Sequence, residues 1–332
     1  MRTQRSQIVN LDMMSEKLGV SKSVISRVLS GQAKKYRISD RTAVRIREEA
    51  KRSFYDLRKV PAARKRKSGI VGLLVPSLSD PYFSRLSGFV VSKLNEKGYL
   101  CTPMETLDNE ETLRQGAVSM LSHGTEALIV VPCGKDNAFL EKVDSDIAPV
   151  VLLDHYYAET TLSYVTSDNF RGAVDAVNYL IDKGHRNIAC IQGDSGILTG
   201  EERVKGYLHA MEKAGLSSFE KVVGGSEFSV EEGYRQTLAL LGAGTPPTAI
   251  FTLSHALVVG AIDAAREKGL KIPEDITLMS FDNNIHTDYL IPHISQPMED
   301  MALLVTQTIF NRLNGIRTGT THIKLSPKLF RI

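Results

Sequence analysis

The sequence predicts a small, basic, all-helical module followed by a larger, acidic α/β module built as two doubly wound parallel-sheet lobes. Three observations carry this. Residues 1–68 hold 19 Lys and Arg against 6 Asp and Glu, whereas the remainder holds 22 against 32, so an overall charge of +3 conceals halves of opposite sign. The first 57 residues show helical apolar spacing and no strand pattern. From Ile70 onward, short apolar runs alternate with amphipathic segments, the signature of parallel sheets with crossover helices. With 42% hydrophobic and 24% charged residues in 332, the composition supports two or three domains with real cores and excludes a disordered or collagen-like chain.

In the basic module, Leu11, Met14 and Leu18 recur at i, i+3 and i+7, which predicts a first short helix over Leu11–Leu18 ended by Gly19. Ser21 is placed to cap a second helix, Lys22–Leu29. Val24, Ile25, Val28 and Leu29 face its core, and Lys22, Ser23, Ser26 and Arg27 stay outside. Two helices across a Gly-Val-Ser turn make a helix-turn-helix. After a polar loop, Ser39 caps a third helix whose Ala43, Ile46, Ala50 and Phe54 keep helical spacing. A module of this charge is suited to a polyanion, because every phosphate it neutralises releases condensed counterions. The following stretch, Arg58 to Ser68, is rich in charge and interrupted by Pro61, and reads as a linker.

In the acidic module, the apolar runs Ile70–Val75, Ala127–Val131, Val150–Leu153, Ile188–Ile191, Ala249–Phe251 and Leu278–Phe281 are the expected strands. Helices closing on Lys97-Gly98, Lys183-Gly184 and Lys268-Gly269 suit a left-handed cap, so these glycines are structural and not phosphate loops. Roughly 260 residues of such units exceed one compact sheet, which favours two lobes with a cleft between them. Parallel sheets bind ligands beyond the carboxyl ends of their strands. The residues standing there are Asp80, Tyr82, Phe83, Cys133, Asp154, His155, Asp194, Ser254, His255 and Asp282. Carboxylates there accept from hydroxyls, and Tyr82, Phe83 and Phe228 can stack on a ring face.

No stretch of eighteen apolar residues occurs, and Met1 to Asn10 lacks the apolar run of a secretory signal, so a cytoplasmic protein without a membrane partner is expected. Three cysteines, Cys101, Cys133 and Cys190, are far apart and suggest neither a disulfide framework nor a metal site. No cofactor is expected. The common catalytic motifs of doubly wound enzymes are missing, and Gly193-Asp-Ser-Gly196 reads as a turn after a strand.

The segment Leu18-Gly-Val-Ser-Lys-Ser-Val-Ile-Ser-Arg-Val-Leu-Ser-Gly31 resembles the headpiece of the LacI/GalR family of bacterial transcription regulators, A-G-V-S-x-x-T-V-S-R-V-L-N-G. Ile25 and Ser30 are mild variants, and Met13-Met14-Ser15 replaces the family's D-V-A. The resemblance continues through Gly72–Pro76, Asp80–Phe83, Gly184–Ala189, Arg203–Tyr207, Ile272–Thr277, Ser280–Asn283 and Leu325–Leu329. It implies a periplasmic-binding-protein-like effector domain at 70–332 after a headpiece at 1–57 and a hinge at 58–69. Chain crossings between the lobes are expected near Thr166–Asn169 and Ile294–Pro297. It implies a homodimeric repressor of a near-palindromic operator in double-stranded DNA, controlled by a small-molecule effector such as a sugar.

By the same resemblance Lys22, Ser23 and Arg27 read base edges, a role that suits the arginine fork on guanine. Ser21 and Ser26 would bind phosphate or cap the helix. In the hinge, Arg64 stands where the family carries a minor-groove leucine and Leu57 where it carries a proline, so the Arg64–Lys67 cluster either contacts DNA or is a solvated linker. Asp154, Arg203 and Asp282 are the implied polar effector contacts, although Arg203 could instead hold a structural ion pair. Ser254 and His255 replace the family's Asn-Asp. His255 then either favours an anionic sugar or caps the following helix. A sugar-binding protein without a regulatory role, or a doubly wound enzyme, are the alternatives.

Overall fold

The computed structural model describes residues 10–55, 67–282, 289–316 and 319–331. Three short helices come first, α1 (Leu11–Leu18), α2 (Lys22–Leu29) and α3 (Asp40–Arg52). Asn10, Ser21 and Ser39 cap them through side-chain oxygens, and Gly19 closes α1 in the left-handed region at φ 65°. Their core is Met14, Ile25, Val28, Ala33, Ala43 and Ile46. Phe54, expected on the apolar face of α3, does not belong to it. The helix stops at Arg52, Phe54 turns left-handed at φ 52°, and its ring packs instead against the first lobe. There Arg114 donates to the Lys51 carbonyl (3.2 Å) and stacks on Phe54 and Phe139, so one buried guanidinium satisfies the end of α3 and ties the headpiece to the lobe.

Alternating strands and helices then build two six-stranded sheets. The first lobe uses β1 (Ile70–Val75), α4 (Pro81–Asn95), β2 (Leu100–Glu105), α5 (Glu110–Ser122), β3 (Ala127–Val130), α6 (Ala138–Asp146), β4 (Val150–Leu153) and β5 (Ser163–Ser167). The second uses α7 (Asn169–Asp182), β6 (Ile188–Gln192), α8 (Leu198–Lys213), β7 (Lys221–Gly224), α9 (Val230–Leu241), β8 (Ala249–Thr252), α10 (His255–Glu267), β9 (Thr277–Phe281) and β10 (His293–Ser295). The chain returns to the first lobe with α11 (Met298–Leu313) and β11 (His322–Leu325), then crosses once more to lay β12 (Lys328–Phe330) on the second. Strand orders are β11-β5-β4-β3-β1-β2 and β12-β10-β9-β8-β6-β7, all parallel except β12 on β10.

The first two crossings lie where the family resemblance implies them, and the third, through Ser326-Pro327, was not foreseen. Each sheet is buried on both faces, which is why its central strands are nearly continuous apolar runs. Gly98, Gly184 and Gly269 all take positive φ as expected of helix caps. Among the described residues no helix is long and apolar enough to cross a membrane.

Candidate functional site

The carboxyl ends of the central strands of both sheets face one cavity of about 240 Å³ between the lobes. Two aspartates define it, and they occupy equivalent places. Asp154 follows β4 and Asp282 follows β9. Both are buried, both adopt left-handed backbone (φ 65° and 74°), and each donates its amide to the neighbouring strand of its own sheet, Asp154 to the Val165 carbonyl (2.9 Å) and Asp282 to that of Ile294 (2.7 Å). Left-handed aspartate costs energy that glycine would not, so a repeated instance at two strand ends marks positions where the side chain is needed.

The Asp154 carboxylate is bracketed by the Tyr82 hydroxyl, which donates to it, and by His155 Nε2 at 3.3 Å. Burial, reinforced by Asp154 and Asp282, holds the Tyr82 phenol well above its ordinary range, so it stays a neutral donor. Across the cavity, Asp282 accepts from Gln296 Nε2 (3.0 Å to each oxygen). Arg203, on α8, is only 6% exposed. Its Nε donates to Asn169 Oδ1 (2.8 Å), its Nη1 donates to the Leu253 carbonyl (2.7 Å), and its guanidinium carbon lies 3.7 Å from the Phe281 ring centre. Arg203 forms no ion pair among the described residues, so the structural ion pair considered from sequence is replaced by neutral hydrogen bonds and ring stacking. Its charge still acts on Asp282, whose carboxyl is pushed up to about 7 by burial and drawn down by Arg203.

All nine candidate effector residues, Asp80, Tyr82, Phe83, Asp154, Arg203, Phe228, Ser254, His255 and Asp282, line this cavity. Asp80 also caps α4, one oxygen accepting from the amides of Tyr82 (2.8 Å) and Phe83 (3.2 Å). Ser254 caps α10 by accepting from the Leu257 amide (3.3 Å), so the cap that sequence assigned as an alternative to His255 belongs to its neighbour. The Phe228 ring fills the space that a Cβ at Gly193 would need.

Cys133 and Asp194 are not in the lining. Cys133 faces an adjacent pocket with its thiol pushed up to about 12 by burial, and Asp194 accepts from the Gly196 amide (2.7 Å) to form the expected turn. Ser77, Asp108, Ile197 and Thr199 line the cavity without having been foreseen. On its flank, Glu202 of α8 accepts from Tyr156 and pairs with Lys324 of β11, joining the lobes through an ionised hydrogen-bond network.

At the other end of the chain, Ser21, Lys22, Ser23, Ser26 and Arg27 share one exposed face of the headpiece while Ile25 and Val28 anchor α2 beneath them. Ser21 caps the helix through the Val24 amide, so the capping alternative applies to it. Lys22 is paired with Asp12 of α1. Arg64 lies outside the described residues, as does Leu57. Replacing Asp12 with Asn should free the Lys22 ammonium and raise affinity for random-sequence duplex a few-fold at low salt, with a steeper salt dependence. Fluorescence anisotropy across a salt series checks this, and an unchanged slope would contradict it.

Residues 68–324 match the family profile described as periplasmic binding proteins and sugar binding domain of LacI family. The chain belongs to the LacI family. Among its curated relatives, the HTH-type transcriptional regulator DegA of Bacillus subtilis is 30% identical over 94% of this chain and 93% of its own length. The HTH-type transcriptional repressor PurR of Edwardsiella ictaluri is 28% identical over 95% and 94%. The fold is shared with a solved structure of the transcriptional regulator CelR in complex with cellobiose (TM-score 0.73, 24% identity, 97% of this chain and 98% of that one), a likeness that includes the headpiece. This LacI-family chain is therefore a DNA-binding transcription regulator carrying a periplasmic-binding-protein-like effector module.

Proposed function

We propose that the chain represses transcription as a homodimer on a near-palindromic operator, and that a small uncharged carbohydrate in the interlobe cavity modulates this binding. Ser21, Lys22, Ser23, Ser26 and Arg27 form the DNA-contacting face, with the basic hinge around Arg64 adding to it. The observation that carries the effector reading is the pair of buried aspartates, one per lobe, facing each other across a cavity that also holds Arg203. A ligand bridging Asp154 and Asp282 contacts both lobes at once, so it binds one lobe arrangement better than another, which is the condition for shifting a conformational equilibrium.

The lining also bears on charge. Among the described residues of the lining, Asp80, Asp108 and Asp154, joined by Asp282 once it ionises, outnumber Arg203, the one residue there with a fixed positive charge. That balance favours a neutral polyol over the anionic sugar that His255 alone suggested, because an added anion would meet carboxylates in a desolvated space. Tyr82, Phe83 and Phe228 supply the apolar faces a sugar ring packs on.

A thermal-shift screen of the full chain against neutral sugars, sugar acids, sugar phosphates and nucleosides tests this. A ligand at a hundredfold its dissociation constant stabilises by about 2.7 kcal/mol, which raises the melting temperature by several degrees. Neutral sugars are expected to give the shift, and a response confined to sugar phosphates or sugar acids would overturn the reading.

A further inference from the structure

The loop between α2 and α3 does more than connect them. Gly31 (φ 76°) and Arg37 (φ 52°) turn the chain. Ala33 is buried in the headpiece core with Ile38 packed beside it, and backbone bonds from Tyr36 N to Gln32 O (3.2 Å) and from Ile38 N to Ala33 O (3.0 Å) close the loop on itself. The one aromatic side chain of this loop, Tyr36, stays outside the core, 42% exposed. Its ring lies against the Arg27 guanidinium, whose carbon is 3.9 Å from the ring centre, and Lys35 Nζ sits 5.7 Å from the same ring. Arg27 makes no ion pair among the described residues, so the ring is what holds its otherwise flexible side chain.

We propose that Tyr36 is a positioning residue for DNA sequence recognition, holding the Arg27 fork in the orientation in which it meets a base edge. The inference rests on the assignment of Arg27 as a base reader. A cation–π contact occupies the face of the guanidinium, while the five N–H donors point outward in its plane. Stacking therefore fixes the plane without consuming the two parallel donors that a guanine O6 and N7 require. A phosphate contact needs no such fixed plane, so the ring affects discrimination between sequences more than attraction to DNA in general. The Tyr36 hydroxyl takes no part in this, and phenylalanine should serve as well.

The test uses the full chain and two probes, a duplex selected by the wild-type protein from a random library and a duplex of scrambled sequence, and reads the ratio of the two affinities at fixed salt. Tyr36→Leu is expected to lower that ratio about three- to tenfold while changing scrambled-duplex affinity little. Tyr36→Phe should keep the ratio near wild type, and in an Arg27→Ala background Tyr36→Leu should have no further effect on it. A ratio unchanged by Tyr36→Leu but lowered by Arg27→Ala overturns the positioning role alone. Equal losses on both probes for Tyr36→Leu overturn it as well and make Tyr36 a backbone contact. A ratio unchanged by Arg27→Ala removes the base-reading assignment and this inference with it. Because Tyr36 lies outside the headpiece core, the variants should melt with the wild type.

Discussion

Arg203→Met is expected to destabilise the second lobe by on the order of 3 kcal/mol, a fall of several degrees in melting temperature, and to abolish the effector response. Methionine fills much of the same volume, so the loss isolates the guanidinium. Without it, Asn169 Oδ1 and the Leu253 carbonyl each lose a donor inside a buried region, and a buried acceptor left unsatisfied costs the desolvation it suffered on folding. The Phe281 ring loses its stacked cation. Arg203 also draws down the pKa of Asp282, so the variant should hold the Asp282 proton to a higher pH. Arg203→Lys should rescue little, since one ammonium on a flexible stem cannot reach two acceptors while lying flat on a ring. Urea unfolding of the three proteins, followed by titration of the sugar found in the screen, separates stability from binding. Wild-type melting behaviour in Arg203→Met would show that its hydrogen bonds contribute nothing net.

What could be read from sequence follows from where periodicity is strong. The headpiece helices are delimited by capping serines and Gly19, which act locally, and the bounds of α1 and α2 and the start of α3 agree with the structure, whereas α3 ends before Phe54. The six expected strands, all central apolar runs, are present within a residue at each end. The missed strands lack that signal for identifiable reasons. Strand β2 is an edge strand with exposed positions and Pro103, and β7 is the edge of the other sheet. Strand β5, Ser163–Ser167, is fully buried yet polar. Thr166, whose hydroxyl donates to the Asp154 carbonyl (2.5 Å), shows how a hydroxyl can be satisfied internally, and no hydropathy pattern reports it.

The cavity lining divides the same way. Asp154, Ser254 and Asp282 follow recognised strands and were legible. Asp108 follows unrecognised β2, and Thr199 opens α8 without a side-chain cap, so neither had a local marker. Phe54 misled because its spacing fits α3, whereas its partner Arg114 is far away in sequence.

The contribution of Asp282 to stability is expected to fall as pH rises from about 4 to above 7. Its carboxyl is raised from an ordinary 3.8 to about 7, first by burial and further by Asp154 and Asp80, with Arg203 and Gln296 pulling the other way. Below 3.8 the carboxyl is protonated in both folded and unfolded chains, and the folded state bears no penalty. Between these values the unfolded chain releases its proton while the folded chain keeps it, so stability declines by about 1.4 kcal/mol per pH unit. Above 7 both states are ionised and the loss levels off at on the order of 4 kcal/mol.

Asp282→Asn isolates this contribution from every other titrating group. The amide cannot ionise, and its oxygen can still accept from Gln296 Nε2. The variant should match the wild type at pH 4 and exceed it by a few kcal/mol at pH 8, read by urea unfolding across that range. A difference that stays constant with pH would exclude a raised carboxyl. The same proton should report on the ligand. A sugar hydroxyl donating to ionised Asp282 favours the charged form, so binding near pH 6.5 should release protons and tighten as pH rises through 7. Calorimetry in two buffers of different ionisation heat detects that release, and Asp282→Asn should remove it.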